Sequence, residues 1–541
     1  MNKKEKIQKA IFLKDIAEVF DKSPSKLAYL LYRFPKDRNT YKEFEIPKKS
    51  GGIRKIKAPI KSISYLQQKL LTILNEIYIP QKCVQGCVKD KKRGIINNAK
   101  IHSNKKYLVN IDIKDFFPSI NFGRVRGMFL SNPYYFSSKT ATVLAQIATY
   151  NNELPVGSPS SPMIANMVAS HLDYDILKYI RNKRISVKYT RYVDDMSFSC
   201  NNSEHLKYIF DIENNEINQE LLRIIEKNNF NIQEHKTRYA IKSKRQEVTG
   251  LVCNEKVNVK KEFYQKVRNM VHNFYYENDK GENISEEVIR GNISFLFNIK
   301  NRSNKLEKDS NSTKEIKEYK SNTSYKTLDK LLWKYNLGRI KNEASNSKVV
   351  VLVEGQTDVI YLKEAFKQYK NNKPNIPDLI FMNLFCGAKG SGATQLKWFL
   401  VWIANSIKKY KHEKDTSHLK ILNTKFNIIA DNDKEGRDVK TTYDGNEKSL
   451  KNIEIFLLEK RNSKNKGSNN DIVIEDLLII KKQDPKQYNY IEKLKNDKSL
   501  PSIEEVIKQS KSSSVARALV KNYNINYSNF FKLFDKVLKI G

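Results

Sequence analysis

Three aspartates in the N-terminal half of the chain have the spacing to hold divalent cations. Leu108–Ile111 is an apolar run typical of a strand, and Asp112 follows it directly. Asp194 and Asp195 lie at the turn between two strand-like segments of Lys188–Ser199. Adjacent carboxylates repel one another unless a cation neutralises them. A strand-borne acid with an acid pair on a hairpin is therefore suited to two-metal transfer of a nucleotidyl group.

A second acidic set lies in the C-terminal half. Two continuous apolar runs, Val349–Val353 and Phe426–Ala430, are typical of strands buried on both faces. Parallel strands bring their carboxyl ends to one edge of a sheet, so acids that follow both runs should converge and require a divalent cation. Helix N-capping is the alternative role for such acids. The acids expected to converge are Glu354, Asp431 and Asp433, and the capping alternative also covers Asp358.

The elements that must position these acids predict a multidomain chain with α+β and α/β parts. At 541 residues it is too long for a single core. Residues 1–300 alternate helix and strand patterns, and 301–345 read as a Lys/Asn/Ser-rich linker with a connecting helix. An α/β domain over 346–482 and a helical C-terminal extension over 483–541 complete the predicted order.

The charge balance indicates a polyanionic partner. Lys and Arg number 98 against 60 Asp and Glu, a net charge of +38, which favours nucleic acid. A general lysine bias is the alternative, but it does not explain the shortage of acids. The chain has no apolar run near the about 18 residues of a membrane span, no secretory signal, and five scattered cysteines. We therefore expect a cytoplasmic protein with free thiols.

Several short motifs, and their order along the chain, resemble those of reverse transcriptases. Tyr192–Asp195 (YVDD) resembles their YxDD box, and Asn110–Ile120 is similar to their first palm motif, with Asp112 at the metal-binding aspartate. Leu154–Pro162 resembles the segment that contacts the incoming nucleotide and template, although Val156 stands where the family usually has Gln. The resemblance implies a right-hand fold of fingers, palm and thumb, with Asp112, Asp194 and Asp195 as catalytic metal ligands.

The same resemblance implies a set of nucleotide-binding residues. An aromatic at Phe117 would exclude a ribose 2′-OH, and Lys236 would protonate the pyrophosphate. A basic Gly-Gly hairpin in the fingers would bind the triphosphate. The full set implied is Arg54, Lys49, Phe117, Gly157 and Lys236.

Two short motifs narrow the resemblance to retron reverse transcriptases. Asn98–His102 (NAKIH) fits their NAxxH signature, and Val248–Gly250 fits their VTG signature. An ordinary polar helix face and an ordinary turn are the alternatives. Retron identity implies a cognate structured non-coding RNA as template, dNTPs as substrates and branched RNA-linked single-stranded DNA (msDNA) as product. The implied RNA-binding residues are Asn98, His102, Thr249 and Gly250.

The second acidic set resembles the TOPRIM fold. Glu354 matches its glutamate motif and Asp431 with Asp433 its DxD motif, while the EGxxD form that adds Asp358 resembles OLD-family nucleases. Ile474–Leu478, with Glu475 or Asp476 as a further ligand, is a weaker match. The resemblance implies Mg²⁺, with Mn²⁺ as a substitute, and a nuclease acting on DNA or RNA, as an effector in anti-phage defence.

Two other interpretations remain open at this point. The C-terminal domain could be a non-catalytic module that binds nucleic acid or assembles homo-oligomers. A group II intron-type reverse transcriptase is the other, but it calls for a DNA-binding and HNH module where this chain has an acidic α/β pattern.

Overall fold

The computed structural model describes most of the chain. The chain divides into two compact units. The first comprises Met1–Lys260 with Arg302–Glu307, and the second Lys261–Asn301 with Lys308–Gly541. Residues 261–300, predicted as part of the first domain, thus belong by packing to the second unit. The described residues are 3–33, 40–48, 51–276, 284–305, 323–344, 348–386, 392–410, 422–459, 472–480, 513–522 and 525–539.

An antiparallel sheet of four strands, in the order β4-β5-β3-β8, is the centre of the first unit. Residues 196–200 of β5 are all buried, so this sheet is covered on both faces. The strands of the unit are β1 (Tyr41–Pro47), β2 (Ile53–Pro59), β3 (Tyr107–Asp112), β4 (Lys188–Tyr192), β5 (Asp195–Cys200), β6 (Phe210–Asp211), β7 (Glu216–Ile217), β8 (Arg238–Ile241), β9 (Glu247–Val248) and β10 (Leu251–Val252).

Amphipathic helices cover this sheet and share one apolar core with it. A π-helical turn, Tyr29–Arg33, and a 3-10 turn, Glu234–Lys236, complete the regular structure. The helices are α1 (Lys3–Lys9), α2 (Leu13–Val19), α3 (Pro24–Ala28), α4 (Lys61–Ile77), α5 (Ile95–Ile101), α6 (Phe122–Leu130), α7 (Ser138–Ala148), α8 (Ser161–Val168), α9 (Ser170–Asn182), α10 (Ser203–Leu206) and α11 (Gln219–Lys227).

A parallel sheet of four strands, in the order β12-β11-β13-β14, forms the second unit's α/β part. Its strands are β11 (Val349–Val353), β12 (Leu379–Asn383), β13 (Phe426–Ala430) and β14 (Ile453–Leu457), and a separate antiparallel pair comprises β15 (Ile479–Ile480) and β16 (Ile525–Asn526). The helices are α12 (Lys261–Tyr276), α13 (Glu286–Lys305), α14 (Thr323–Ala344), α15 (Gln356–Asn372), α16 (Ala393–Tyr410), α17 (Lys434–Asp444), α18 (Ser513–Asn522) and α19 (Phe531–Leu538), with 3-10 turns at Glu447–Ser449, Ile474–Leu477 and Ser528–Phe530.

Helix α14, predicted as a connecting helix, is a core element of the second unit. It packs against α12 and α16, and its polar Asn336 is almost fully buried. The Asn336 side chain replaces a strand partner for Phe385, because its Oδ1 accepts from the Phe385 N–H at 2.8 Å and its Nδ2 donates to the Phe385 carbonyl at 2.9 Å. The helix therefore fixes the backbone just beyond β12.

The described part of the C-terminal extension also belongs to the α/β core. Helix α18 packs against α15. The ring of Phe534, in α19, lies 5.4 Å from that of Phe366 and 5.9 Å from that of Phe381, measured between centroids. No described helix is long and apolar enough to span a bilayer. The five cysteines are free of disulfide bonds, as predicted.

Substituting Phe534→Ala should destabilise the second unit by about 3–5 kcal/mol, because it removes a fully buried ring from a packed core. Trp398→Ala is the matched control, since this large aromatic side chain is 53% exposed and should change stability by about 0.5 kcal/mol or less. Thermal unfolding followed by calorimetry measures both variants. If the Phe534 variant were as stable as the wild-type protein, the C-terminal extension would not be part of the core.

Candidate active sites

The antiparallel sheet brings the three predicted palm aspartates together. Asp112, at the end of β3, lies directly opposite Asp195, the first residue of β5. The backbone N–H of Ile113 donates to the carbonyl of Asp194 at 3.1 Å, which fixes the hairpin tip beside the end of β3. Residues more than 80 positions apart thus meet because of strand register.

Burial and repulsion between the acids dominate the electrostatics of this cluster. Burial, and then the charges of Asp194 and Asp112, raises the pKa of Asp195 to about 7. Burial, followed by the charge of Asp112, also raises the pKa of Asp194, while Lys236 and Arg54 oppose the rise. A carboxylate with a raised pKa gains most from a cation placed beside it.

Lys236 is the nearest counter-charge to the palm aspartates. It ends the 3-10 turn Glu234–Lys236, and its Nζ lies 2.8 Å from Oδ1 of Asp112. The backbone N–H of Gln233 donates to the carbonyl of Asp112 at 2.8 Å, so the turn is bonded to the end of β3. The predicted pyrophosphate-binding lysine therefore lies at the acid cluster.

The predicted nucleotide-binding residues lie on three elements. Arg54 is exposed on β2 and is close enough to lower the pKa of Asp194. Phe117 is half-buried, with its ring edge against that of Phe116 at 5.6 Å. Gly157 has a φ of +118°, and a Cβ at this position would lie 3.0 Å from the side chain of Ile56 and 3.1 Å from a backbone oxygen of β2. Glycine is required there because the loop lies directly against the fingers hairpin. Lys49 lies outside the described residues.

A buried ion pair holds the tip of the YVDD hairpin. Arg191 has no exposed surface and forms a two-pronged salt bridge with Asp173, with Nε–Oδ1 and Nη2–Oδ2 distances of 2.9 and 2.7 Å. Its Nη1 donates to the carbonyl of Val193 at 2.9 Å. Val193 has a φ of 61°, a strained conformation for a β-branched residue. The sequence interpretation missed Arg191 and Asp173, because an arginine within the largely polar segment Lys188–Tyr192 gave no sign that it would be buried.

Asn98 and His102, predicted to bind RNA, lie in the protein interior with no exposed surface. The two ring nitrogens of His102 lie 2.7 Å from the hydroxyls of Ser199 and Thr190, and the Thr190 hydroxyl donates to Asn98 Oδ1 at 2.5 Å. Burial lowers the pKa of His102 to about 3, so the ring is neutral. Direct RNA contact by these two side chains does not fit this placement, because helix α5 turns them towards the palm sheet.

Thr249 and Gly250, also predicted to bind RNA, form the turn of the β9–β10 hairpin, with φ values of 47° and 80°. Gly250 is exposed and Thr249 is half-buried. The Thr249 hydroxyl donates to the carbonyl of Ile95 at 3.4 Å, so this turn lies at the start of α5. The two retron-like motifs, about 150 residues apart in the chain, are therefore neighbours in space.

The parallel sheet brings the second acidic set to one edge. Val353 lies opposite Ile429 in the register of β11 and β13. Glu354 therefore follows β11 beside the end of β13, and its Oε1 accepts the backbone N–H of Asp431 at 3.0 Å. This is the convergence predicted from the carboxyl ends of two buried strands.

Burial and repulsion between acids also dominate the electrostatics of the second cluster. Burial, followed by Asp358 and Glu354, raises the pKa of Asp431 to about 9. Burial also raises the pKa of Glu354 to about 7, with Asp358 and Asp433 adding to the rise and the N–H of Asp431 opposing it. Glu475 contributes to the raised pKa of Asp431 as well. These acids therefore lie within electrostatic reach of one another.

Several of these acids also bond the backbone, as the N-capping alternative predicts. Asp433 caps α17, where its Oδ1 accepts the N–H of Gly436 at 2.8 Å. Asp358 accepts the N–H of Gly355 at 2.7 Å, and Asp476 that of Val473 at 3.0 Å. Within the described residues, no three Asp, Glu, His or Cys side chains in either unit are arranged at the spacing of metal ligands.

The donor set of each cluster nevertheless fits Mg²⁺ or Mn²⁺. Each consists of carboxylate oxygens, which these hard cations prefer over nitrogen and sulfur. Of the weaker candidates, Glu475 is electrostatically linked to Asp431, whereas Asp476 has an oxygen engaged in a turn. The metal ligands therefore remain predictions that the chemistry of the residues supports.

The comparisons with known proteins concern the first unit. Residues 46–253 match the family model described as reverse transcriptase (RNA-dependent DNA polymerase). This segment is therefore similar to the reverse transcriptase family. The Retron Ec86 reverse transcriptase of Escherichia coli is 33% identical over 217 residues, 40% of this chain and 63% of the relative. The Retron Mx65 reverse transcriptase of Myxococcus xanthus is 28% identical over 48% of this chain and 62% of the relative. The chain is thus similar to retron reverse transcriptases, the group that the two short motifs indicated.

The reverse transcriptase match has defined limits. The chain spans less than two thirds of the length of these two relatives, although it covers 83% of the Retron Ec83 reverse transcriptase of Escherichia coli at 28% identity. A telomerase structure from Candida albicans has a TM-score of 0.34 and 12% identity over 75% of this chain and 70% of that one, too distant to carry an argument. The family match ends at residue 253, so the second acidic site rests on its own geometry.

The most sensitive position in the second site is Gly436. A Cβ built there would lie 1.9 Å from the backbone oxygen of Asp431, so Gly436→Ala must displace either α17 or the end of β13. We expect a loss of about 1–3 kcal/mol in the stability of the second unit. Calorimetric unfolding measures it.

Gly445→Ala is the matched control at the other end of the same helix. Its added Cβ would meet its nearest neighbour at 3.5 Å, an ordinary contact, and its φ of −65° suits alanine. It should change stability by about 0.5 kcal/mol or less. Equal effects of the two substitutions would mean that the approach of α17 to Asp431 is not tight.

Proposed function

We propose that the chain is a retron-type RNA-directed DNA polymerase joined to a TOPRIM metal-dependent nuclease. The polymerase would copy a cognate structured non-coding RNA into branched RNA-linked single-stranded DNA, using dNTPs. The nuclease would cleave DNA or RNA as an effector in anti-phage defence. The cytoplasmic location predicted from the sequence belongs to the same proposal.

The observation that carries the polymerase is the pairing of Asp112 with Asp195 across the palm sheet, with Asp194 at the adjoining turn. Three carboxylates this close together repel one another, and a cation bound between them relieves that repulsion. Divalent cations at such a site would activate a 3′ or 2′ hydroxyl and stabilise a leaving pyrophosphate. Asp112, Asp194 and Asp195 would hold them. The family match over residues 46–253 supports this assignment.

The surrounding residues would bind and select the nucleotide. The guanidinium of Arg54 would bind the triphosphate, since Arg pairs with phosphate oxygens through two donors. The half-buried ring of Phe117 would exclude a ribose 2′-OH. Lys236, which pairs with Asp112, would be close enough to donate a proton to the pyrophosphate. The sugar contact at Val156 stays open.

The observation that favours a nuclease in the second unit is the convergence of Glu354 and Asp431 at the ends of β11 and β13, where burial and surrounding acids raise the pKa of Asp431 to about 9. Among the described residues, no Lys or Arg side chain is a main influence that lowers the pKa of Asp431. A divalent cation held by Glu354, Asp431 and Asp433 would remove that penalty and could polarise a phosphodiester for hydrolysis. Asp358 and Glu475 are further candidates.

A second candidate function for this unit is a non-catalytic module that binds nucleic acid or assembles oligomers. The capping bonds of Asp358 and Asp433 favour it, because both residues have a structural role without a cation. The two candidates differ in one outcome, which is metal-dependent cleavage.

Substitutions in the two clusters should separate the two activities. Asp194→Asn with Asp195→Asn should abolish RNA-linked DNA in cells, since neutral amides cannot hold the cations. Glu354→Gln should leave that DNA intact and abolish cleavage of labelled DNA and RNA by the purified protein in Mg²⁺ or Mn²⁺. The glutamine keeps an oxygen that can accept the N–H of Asp431, so the fold should persist. Sequencing of co-purified nucleic acid and gel assays of cleavage measure the two effects.

The matched controls are Glu213→Gln and Asp438→Asn. Both acids are exposed and neither belongs to a cluster, so both variants should keep both activities. Cleavage that persists in the Glu354 variant would refute the nuclease, and absence of cleavage by the wild-type protein on every substrate would favour the binding module. RNA-linked DNA in the Asp194/Asp195 variant would refute the polymerase site.

A further inference from the structure

A hydrogen-bonded strip of polar side chains runs behind the catalytic hairpin of the first unit. It joins helix α5 to both strands of the hairpin, through Thr190 on β4 and Ser199 on β5. All four polar side chains, those of Asn98, His102, Thr190 and Ser199, are at most 2% exposed. Burying so many polar groups costs free energy unless they are paired, and every polar side-chain atom of the four except the amide nitrogen of Asn98 has a partner.

The directions of the bonds around His102 follow from the bond between Thr190 and Asn98. A threonine hydroxyl has one proton, and that of Thr190 is donated to Asn98 Oδ1. Thr190 must therefore accept from Nε2 of His102, so Nε2 carries the ring proton. Because the ring is neutral, Nδ1 has no proton and accepts from the Ser199 hydroxyl. One tautomer satisfies both strands.

The two strand partners of His102 report the register of the hairpin. Thr190 lies opposite Ser197, two residues from Ser199, so Thr190 and Ser199 are diagonal neighbours on one face. Slippage of β4 against β5 by one residue would turn one of them to the other face and break its bond to His102. The same register decides where Tyr192 and Asp195 lie at the tip.

A separate polar bond reaches the third catalytic strand. The side-chain Nδ2 of Asn110, on β3, donates to the hydroxyl of Ser197, on β5, at 2.9 Å. Asn110 and Ser197 each lie two residues from a catalytic aspartate, Asp112 and Asp195. Polar bonds therefore fix β3, β4 and β5 relative to one another beneath the acids.

We propose that Asn98 and His102 are positioning residues of the polymerase site, which hold the catalytic hairpin in register through Thr190 and Ser199. This inference rests on the proposed polymerase function. It assigns the NAxxH motif a role in the chemical step instead of in contact with RNA. The motif supports the hairpin from within the core.

Thr190→Val tests the proposal, because valine has the shape of threonine but no hydroxyl, and leaves the partners on His102 and Asn98 unpaired. With the full-length protein on an oligo(dT)-primed poly(rA) template, kcat should fall roughly 10- to 100-fold, with template affinity and the KM for dTTP unchanged. Thr190→Ser restores the hydroxyl and should recover most of the rate.

Thr140→Val is the matched control. Thr140 is fully buried, and its hydroxyl donates to the carbonyl of Ala10 at 2.6 Å, away from the hairpin. This variant should lose stability to a similar extent but keep its kcat. An equal loss of kcat in both valine variants would overturn the proposal in favour of a general effect on stability. A loss of template affinity at unchanged kcat in Thr190→Val would overturn it in favour of RNA contact.

Nitrogen NMR of histidine-labelled protein tests the strip even if the wild-type protein extends no primer, a result that would refute the proposed function alone. The chain has seven histidines, and the signals lost in His102→Gln identify those of His102. The proposal requires a neutral ring protonated at Nε2 at pH 7, changed by Thr190→Val and unaffected by Thr140→Val. A ring protonated at Nδ1, or at both nitrogens, would overturn it.

Discussion

Repulsion between carboxylates held at the ends of neighbouring strands is the constraint on which both sites depend. In the first unit, antiparallel register places Asp112 opposite Asp195. In the second, parallel register places Glu354 beside Asp431. Both arrangements raise the pKa of a buried acid, by burial first and by neighbouring charge second. The fold in each case creates an electrostatic penalty that a divalent cation would relieve.

The surrounding structure holds these acids in place against that penalty. In the first unit, Arg191 and Asp173 form a buried ion pair whose arginine also bonds the strained turn at Val193. A buried pair adds little net stability, but loss of one partner is costly, so its value here is geometric. In the second unit, the close packing of Gly436 against the backbone oxygen of Asp431 fixes the position of that acid without an ion pair.

The sequence was sufficient to predict which acids would meet. Apolar runs followed directly by acids indicate strand ends, and strand ends share an edge, so the positions of Asp112 and Glu354 followed from pattern alone. The α/β character of the second part was also predictable, because its strands are continuous apolar runs. Resemblance to reverse transcriptases implied the roles of these residues, which stay predictions, and the family match covers residues 46–253.

The sequence was insufficient where tertiary packing decides. The i, i+4 spacing of Asn98 and His102 indicates one helix face, but it does not reveal whether that face meets solvent or the palm sheet. The polar composition near the connecting helix concealed the buried Asn336. Likewise, the helical pattern of the C-terminal extension gave no sign that Phe534 completes the core of the α/β domain. Only long-range contacts decide these three cases.

Iron-mediated cleavage of the protein backbone tests the central claim most directly. Fe²⁺ that replaces Mg²⁺ generates hydroxyl radicals with ascorbate and peroxide, and these cut the chain beside the bound ion. Two groups of Mg²⁺-suppressible cuts should appear, one near residues 112 and 194–195 and the other near 354 and 431–433. Cuts at only one of these places, or cuts that excess Mg²⁺ does not suppress, would contradict the account that each acidic cluster binds a divalent cation.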